Sequence, residues 1–177
     1  MIDLGDFSIV ILDLADAESL NAMLLKNTER FQRYFPKTLK QNLNLEMTKE
    51  YILKKKSLFD AGEEYTMGIK DIASKNIVGL VILKNINRKI ADAEVAYCLD
   101  ADFGGKGLMT KSVNKICEFA KEKADLKSLF IIAHKTNISS VRVAEKTGFI
   151  WSETEFKSYT PVNETEPIDM EKFVITL

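Results

Sequence analysis

The feature that most constrains the fold of this chain is a glycine-rich turn between an apolar strand and an amphipathic helix. Gly104, Gly105 and Gly107 follow closely on residues 94–99, whose apolar character predicts a buried strand. After the glycines, apolar side chains recur at the spacing of a helix with one buried face. They are Met109, Val113, Ile116, Cys117 and Ala120. The turn therefore predicts a strand, a tight loop and a long helix packed on a core.

A second strand and helix follow this unit. Residues 129–133 form an apolar run, Asn137 is a favourable N-cap, and Gly148 is well placed to end the helix. Strand, helix and strand in this order predict a crossover connection, which joins two parallel neighbouring strands.

The rest of the chain predicts an antiparallel meander with two more helices. Strands are expected at residues 8–14, 65–69, 77–83, at Phe149 and at 170–177, with Asn85, Asn87 and Arg88 in a turn. The first helix starts at the N-cap Asp16 and carries Leu20, Met23, Leu24 and Phe31 on one face, and the second covers residues 48–61. The predicted fold class is mixed α/β: a mostly antiparallel sheet with one parallel pair, flanked by helices.

Composition narrows the function classes. The chain has 177 residues, 46% hydrophobic and 29% charged, so we expect one soluble domain over residues 1–177, as a monomer or homodimer. Its 25 Lys+Arg and 26 Asp+Glu lie in no long run of like charges, which disfavours a nucleic-acid surface. No apolar stretch is long enough to span a bilayer and the first residues are acidic, so we expect a cytoplasmic protein without a membrane partner. One histidine and two cysteines indicate no metal site.

The glycine-rich loop predicts an anion site. The first amides of a helix lack intrahelical acceptors, and its positive end favours a negative group by about 0.3–1 kcal/mol. A P-loop would need Ser or Thr at Gly107, and a dinucleotide fingerprint would need a third glycine after it. A phosphate or pyrophosphate of another ligand is therefore expected, and the alternative is a turn that only caps a buried helix.

Two linked segments resemble a known family. Residues 97–110 are similar to the acetyl-coenzyme-A loop of the GCN5-related N-acetyltransferase (GNAT) superfamily, in its RimJ/RimL-type ribosomal-protein acetyltransferase form. Residues 137–149 are similar to the Asn-x-x-Ser helix of that family, which ends in Glu-Lys-x-Gly-Phe. The chain departs from the superfamily pattern at three places: Gly104 replaces the usual Gln or Arg, Met109 a frequent Gly or Ala, and Ala144 a frequent tyrosine.

The resemblance implies that the chain binds acetyl-coenzyme A and uses no metal. The pyrophosphate is expected at the amides of residues 105–110 and the pantetheine arm along the strand that ends at Leu99, because a free strand edge offers groups that match its amides. The implied coenzyme-binding residues are Tyr97, Leu99, Gly104, Gly105, Lys106, Gly107, Leu108, Met109, Thr110 and Asn137.

The resemblance further implies direct acetyl transfer to a primary amine. Glu94 is the candidate base, acting through water, and the alternative is a solvated or salt-bridged carboxylate. Ser140 is the candidate proton donor to the coenzyme sulfur, and the alternative is an ordinary helix-start serine. Asn137 can cap the helix and bind pantetheine at once. His134 at a strand end is expected to be structural.

An α-amine has a pKa of about 7.7–8.0, whereas that of a lysine side chain is about 10.4. A weak general base is therefore sufficient for an acceptor that is a protein N-terminus. Together with the resemblance, this implies an N-acetyltransferase that acts on a protein N-terminus, of the ribosomal-protein type. The alternatives are acetylation of a small amine, such as a polyamine or an aminoglycoside-like compound, and a non-catalytic acyl-coenzyme-A-binding module. Phe31, Tyr34 and Phe35 either line the acceptor site or pack in the core.

Overall fold

The computed structural model describes all 177 residues, and it contains one eight-stranded sheet with the strand order β1-β2-β3-β4-β5-β6-β8-β7. The strands are β1 (Ile2–Asp3), β2 (Phe7–Ile11), β3 (Tyr65–Asp71), β4 (Ile77–Asn87), β5 (Asp92–Leu99), β6 (Ser128–Ala133), β7 (Ile150–Tyr159) and β8 (Ile168–Thr176). The helices are α1 (Ala17–Lys26), α2 (Thr28–Phe31), α3 (Pro36–Lys40), α4 (Leu45–Asp60), α5 (Leu108–Glu122) and α6 (Ile138–Lys146). Because the sheet includes strands from both ends of the chain, we keep the prediction of one domain over residues 1–177.

The predicted fold class is confirmed. Every pair of neighbouring strands is antiparallel except β5 and β6, which are parallel and are joined by α5. This pair is short: residues 92–94 of β5 pair with residues 128–130 of β6. Beyond that point β5 continues to Leu99 and β6 to Ala133 without pairing to each other. The two strands therefore open like a V toward the glycine-rich loop.

Helices cover both faces of the sheet and bury two hydrophobic clusters. On one face Val113 and Ile116 of α5 pack with side chains of the central strands. On the other face Leu20 and Leu24 of α1 pack with Ile52 of α4. The central strand β4 contributes to both clusters, which explains why residues 77–83 are apolar without alternation. Both strands of the V thus contribute side chains to the hydrophobic core.

The first helix differs from the prediction, because it is interrupted at Asn27. The side-chain amide of Asn27 donates to the carbonyl of Met23 (2.9 Å), and its oxygen accepts from the Ala101 amide (3.1 Å). Asp16 does not cap α1 through its side chain. Instead it accepts from the backbone amide of Asp13 in a reciprocal capping box at the preceding 3-10 turn.

The ends of several predicted strands also shift. Asn85 lies in β4 as an irregularity with φ of 53°, and the turn comes after Asn87. Phe149 is a buried core residue that precedes β7, and β7 itself was not predicted beyond it. This strand lies at the edge of the sheet and is mostly exposed, so its sequence lacks the apolar pattern of a strand.

Candidate functional site

The glycine-rich loop has the conformation that its sequence predicts. Gly105 and Gly107 have φ values of 75° and 76°, in the left-handed region that disfavours residues with a Cβ. A Cβ at either position would meet no protein atom within 4 Å, so space is open above the loop. Gly104 differs, since its φ of −67° is one that any residue adopts. The backbone conformation of the loop therefore favours glycine at positions 105 and 107, whereas the backbone conformation at position 104 does not require glycine.

The loop presents a continuous set of unused amide donors. From Gly105 to Thr110, six consecutive backbone N–H groups donate to no acceptor in the protein. The first amide with a partner is that of Lys111, which donates to the Gly107 carbonyl at 3.0 Å. Such a cluster at the positive end of a long helix is suited to a phosphate or pyrophosphate.

Charged side chains of the α1–α2 junction anchor the start of this loop. The ammonium of Lys26 lies 3.0 Å from Asp100 and 2.6 Å from Asp102. Arg30 donates to the carbonyl of Leu99 (3.3 Å) and to the side-chain oxygen of Asn27 (2.8 Å). Sequence analysis missed this anchor, because the residues that meet are about seventy positions apart and follow no motif.

The anchor predicts a pH-dependent contribution to stability. Burial acts to raise the pKa of Asp100, but the Asp102 amide and Lys26 outweigh it and hold this pKa below its ordinary value. The contribution is therefore fully present above about pH 4, the ordinary pKa of an aspartate, and it is lost as the pH falls from there through the lowered pKa of Asp100 in the folded protein. We expect Lys26→Met to lower the Tm at pH 7 and much less at pH 3. Lys49→Met, which breaks an exposed pair within one helix, is the control, and an equal Tm loss at both pH values would contradict the prediction.

A cavity of about 660 Å³ lies in the V between β5 and β6. It brings together ten of the twelve site residues predicted from the sequence: Glu94, Tyr97, Leu99, Gly105, Gly107, Leu108, Met109, Thr110, Asn137 and Ser140. Gly104 and Lys106 lie in the loop but not in the cavity lining, and the Lys106 side chain is exposed. Lining the cavity does not test a role, so the coenzyme-binding and catalytic roles of all twelve residues stay predictions.

The start of α6 forms one wall of the cavity. The side-chain oxygen of Asn137 accepts from the Ser140 amide (3.4 Å) and from the Ser139 hydroxyl (3.0 Å), so Asn137 is the N-cap. Its side-chain nitrogen donates to no protein atom, and neither does the Ser140 hydroxyl. Two polar groups of this wall are thus available to a ligand while the helix stays capped.

Tyr97 connects the two arms of the V. Its hydroxyl donates to the carbonyl of Ser140 at 3.0 Å and so joins β5 to α6. Burial raises the pKa of Tyr97 above its ordinary value, so the phenol stays neutral at physiological pH. This contact fixes the position of Ser140 relative to the strand along which we expect the pantetheine arm.

Glu94 lies where β5 and β6 stop pairing and is buried, with 9% of its surface exposed. One carboxylate oxygen is 2.9 Å from the Lys84 ammonium and the other accepts from the Asn85 side chain at 2.8 Å. The salt-bridged alternative is therefore present in the structure. Since each oxygen can accept a further hydrogen bond, pairing leaves room for a water molecule.

A second cavity of about 210 Å³ adjoins the first. The two share five lining residues, which mark their junction: Tyr34, Lys84, Glu94, Ile132 and Asn137. Tyr34 thus lines both cavities, whereas Phe31 and Phe35 line the larger one and also pack against the core. His134 lines the smaller cavity and accepts from or donates to the Thr136 hydroxyl at 2.7 Å.

The two cysteine thiols are not activated as nucleophiles. Burial raises the pKa of the Cys98 thiol to about 12 and that of Cys117 to about 11, far from a reactive thiolate. No three His, Cys, Asp or Glu side chains cluster as metal ligands.

None of the helices combines the length and hydropathy that a bilayer span requires.

Comparison with known proteins agrees with the motifs. The family profile described as "Acetyltransferase (GNAT) domain" matches residues 9–150, which include both segments of the resemblance, so the resemblance is confirmed. The relative "Probable N-acetyltransferase YjcK" of Bacillus subtilis (strain 168) is 27% identical over 139 residues, covering 78% of this chain and 77% of the relative.

Solved structures share the fold over the whole chain. The ribosomal-protein-S5-alanine acetyltransferase from Vibrio fischeri superposes with a TM-score of 0.91 at 20% identity and covers 99% of this chain and 95% of its own. RimL, a ribosomal L7/L12 alpha-N-protein acetyltransferase in complex with coenzyme A, has a TM-score of 0.87 at 17% identity, covering 100% and 97%.

Proposed function

The chain belongs to the GNAT acetyltransferase family, and on that premise we propose that it transfers acetyl from acetyl-coenzyme A to the N-terminal α-amine of a protein. The expected acetyltransferase activity, with acetyl-coenzyme A as donor, is confirmed by the family match. The protein N-terminus as acceptor, and the role of each residue, are our proposal. Similar structures are those of enzymes named for ribosomal-protein substrates, which supports an acceptor of this kind.

One observation carries the assignment of the donor site: six consecutive unused amides belong to a loop of which five residues line a cavity, and this cavity follows a free strand edge. The amides of residues 105–110 would bind the pyrophosphate. From Leu99 back to Glu94, β5 spans roughly 17 Å at about 3.3 Å per residue, a distance suited to an extended pantetheine arm. The acetyl group would then reach the junction of the two cavities.

Residues at the junction would carry the chemistry. An α-amine is partly neutral near pH 7, and Glu94 would accept its remaining proton through one water molecule. As the new C–N bond forms and the C–S bond breaks, the Ser140 hydroxyl would donate its proton to the departing thiolate and regain one from solvent. The free side-chain nitrogen of Asn137 would hold the pantetheine arm and so orient the thioester.

The test is release of free coenzyme A from acetyl-coenzyme A in the presence of different acceptors. We expect turnover with peptides that have a free N-terminus and none with the same peptides blocked at the α-amine, even when they contain an internal lysine. Polyamines and aminoglycosides form the comparison series. Turnover of those amines but not of peptides would contradict the acceptor, and coenzyme binding without turnover on any amine would contradict catalysis.

A further inference from the structure

The smaller cavity has two sets of lining residues with different positions. Tyr34, Lys84, Glu94, Ile132 and Asn137 lie at the junction with the coenzyme cavity, where the reacting amine must arrive. The other set lines the smaller cavity alone: Ala133, His134, Glu155, Ser158, Tyr159 and Met170. A chain that extends from the reacting amine into the smaller cavity would therefore meet this second set.

The charges around the smaller cavity do not balance. Lys84 and Glu94 neutralise each other at 2.9 Å, and Arg33, whose guanidinium lies 5.5 Å from the centre of the Tyr34 ring, pairs with Glu164 at 3.1 Å. Glu155 also lines the cavity, but its carboxylate makes no ion pair and accepts no side-chain or backbone hydrogen bond. It is half-buried. Glu155 is thus the one carboxylate of the cavity lining without a cationic partner in the protein.

Aromatic rings form the wall beside this carboxylate. The ring of Tyr34 stacks on His134 with centroids 6.0 Å apart and lies 6.4 Å from the ring of Tyr159. The Tyr159 hydroxyl donates to the Arg33 carbonyl at 2.6 Å, which holds the wall between the α2–α3 connection and the end of β7. Aromatic faces next to a carboxylate bind the stem and head of a cationic side chain.

We infer that the acceptor carries a positively charged side chain at its second or third residue, and that Glu155 recognises this side chain beside the Tyr159 ring. The inference rests on the proposed function and assigns its acceptor class: protein N-termini whose second or third residue is Lys or Arg. Glu155 is a specificity-determining residue and takes no part in the acetyl transfer itself.

The test compares peptides that are identical except for lysine, norleucine or glutamate at positions two and three. We expect wild-type kcat/KM to be about tenfold higher for the lysine peptide than for the norleucine peptide, through a lower KM at similar kcat. Glu155→Gln removes that preference by raising the KM for the lysine peptide. Glu155→Lys shifts the preference to the glutamate peptide. Glu153→Gln is the matched control, because Glu153 lies on the same strand, pairs with Lys172 and does not line the cavity.

The possible results distinguish this inference from the proposed function on which it rests. Peptide turnover with no charge preference, or a preference that survives Glu155→Gln, overturns the inference and leaves the proposed function standing. Turnover of spermidine in place of every peptide overturns both. Calorimetry of the lysine peptide with the coenzyme A complex is a second measurement that needs no turnover, and equal affinity for the wild type and Glu155→Gln also overturns the inference.

Discussion

Gly107→Val is expected to abolish coenzyme binding while the protein still folds. A Cβ at this position would meet no protein atom within 4 Å, so the protein can accommodate it, but it would take up space in the loop that carries the unused amides, where we propose that the pyrophosphate binds. The φ of 76° also disfavours an L-residue by about 1–2 kcal/mol, so the loop would move away from its donor geometry. We expect the Kd for coenzyme A, measured by calorimetry, to rise at least about 100-fold, equivalent to roughly 2.7 kcal/mol.

The chain offers a matched control for this substitution at Gly5. This glycine has a φ of 88°, and a Cβ there would also meet no atom within 4 Å, but it lies in the turn between β1 and β2 and does not line the cavity. Gly5→Val should therefore produce a similar loss of Tm with normal coenzyme affinity. Wild-type affinity in Gly107→Val would show that the loop does not hold the pyrophosphate.

Local patterns explain why this part of the site could be predicted from the sequence. The free amides follow from a helix that begins at Leu108 and from glycines that let the loop turn, and both signals lie within a dozen residues. Asn137 as N-cap is equally local, since it needs only the start of α6. The free edge of β5 was expected from the family resemblance and not from the local pattern, because a pantetheine arm needs a strand edge without a partner.

The parts of the site that could not be predicted from the sequence depend on contacts between distant segments of the chain. Lys26 and Asp100 meet only because α1 packs beside the end of β5, and neither residue has a neighbour in sequence that signals the pair. The same holds for Glu155, which lies on an exposed edge strand with no apolar alternation. Its position in the lining of the smaller cavity is visible only in the folded structure, where β7 passes that cavity. For Glu94 the sequence left two alternatives open, and the register that places Lys84 opposite it favours a paired carboxylate.

The position of Ala144 narrows the choice of proton donor. Superfamily members often carry a tyrosine at this place, but here the side chain is fully buried in the core. If a side chain protonates the thiolate, it would therefore have to come from elsewhere on the cavity wall. The Ser140 hydroxyl lies one turn earlier on α6, lines the cavity and has no partner in the protein, while Tyr97 already uses its hydroxyl proton on the Ser140 carbonyl.

Ser140→Ala is accordingly expected to lower kcat by about 100-fold, the lower range for loss of a general acid, with little change in coenzyme affinity. The substitution leaves the helix cap intact, because Asn137 binds the backbone amide of residue 140 and not its hydroxyl. Single-turnover rates at saturating acetyl-coenzyme A measure the effect on the chemical step directly. Ser139→Ala is the control, since that hydroxyl bonds to Asn137 instead of standing free, and Ser140→Thr should restore much of the rate. A wild-type rate in Ser140→Ala would remove the serine from the mechanism and leave solvent as the proton source for the thiolate.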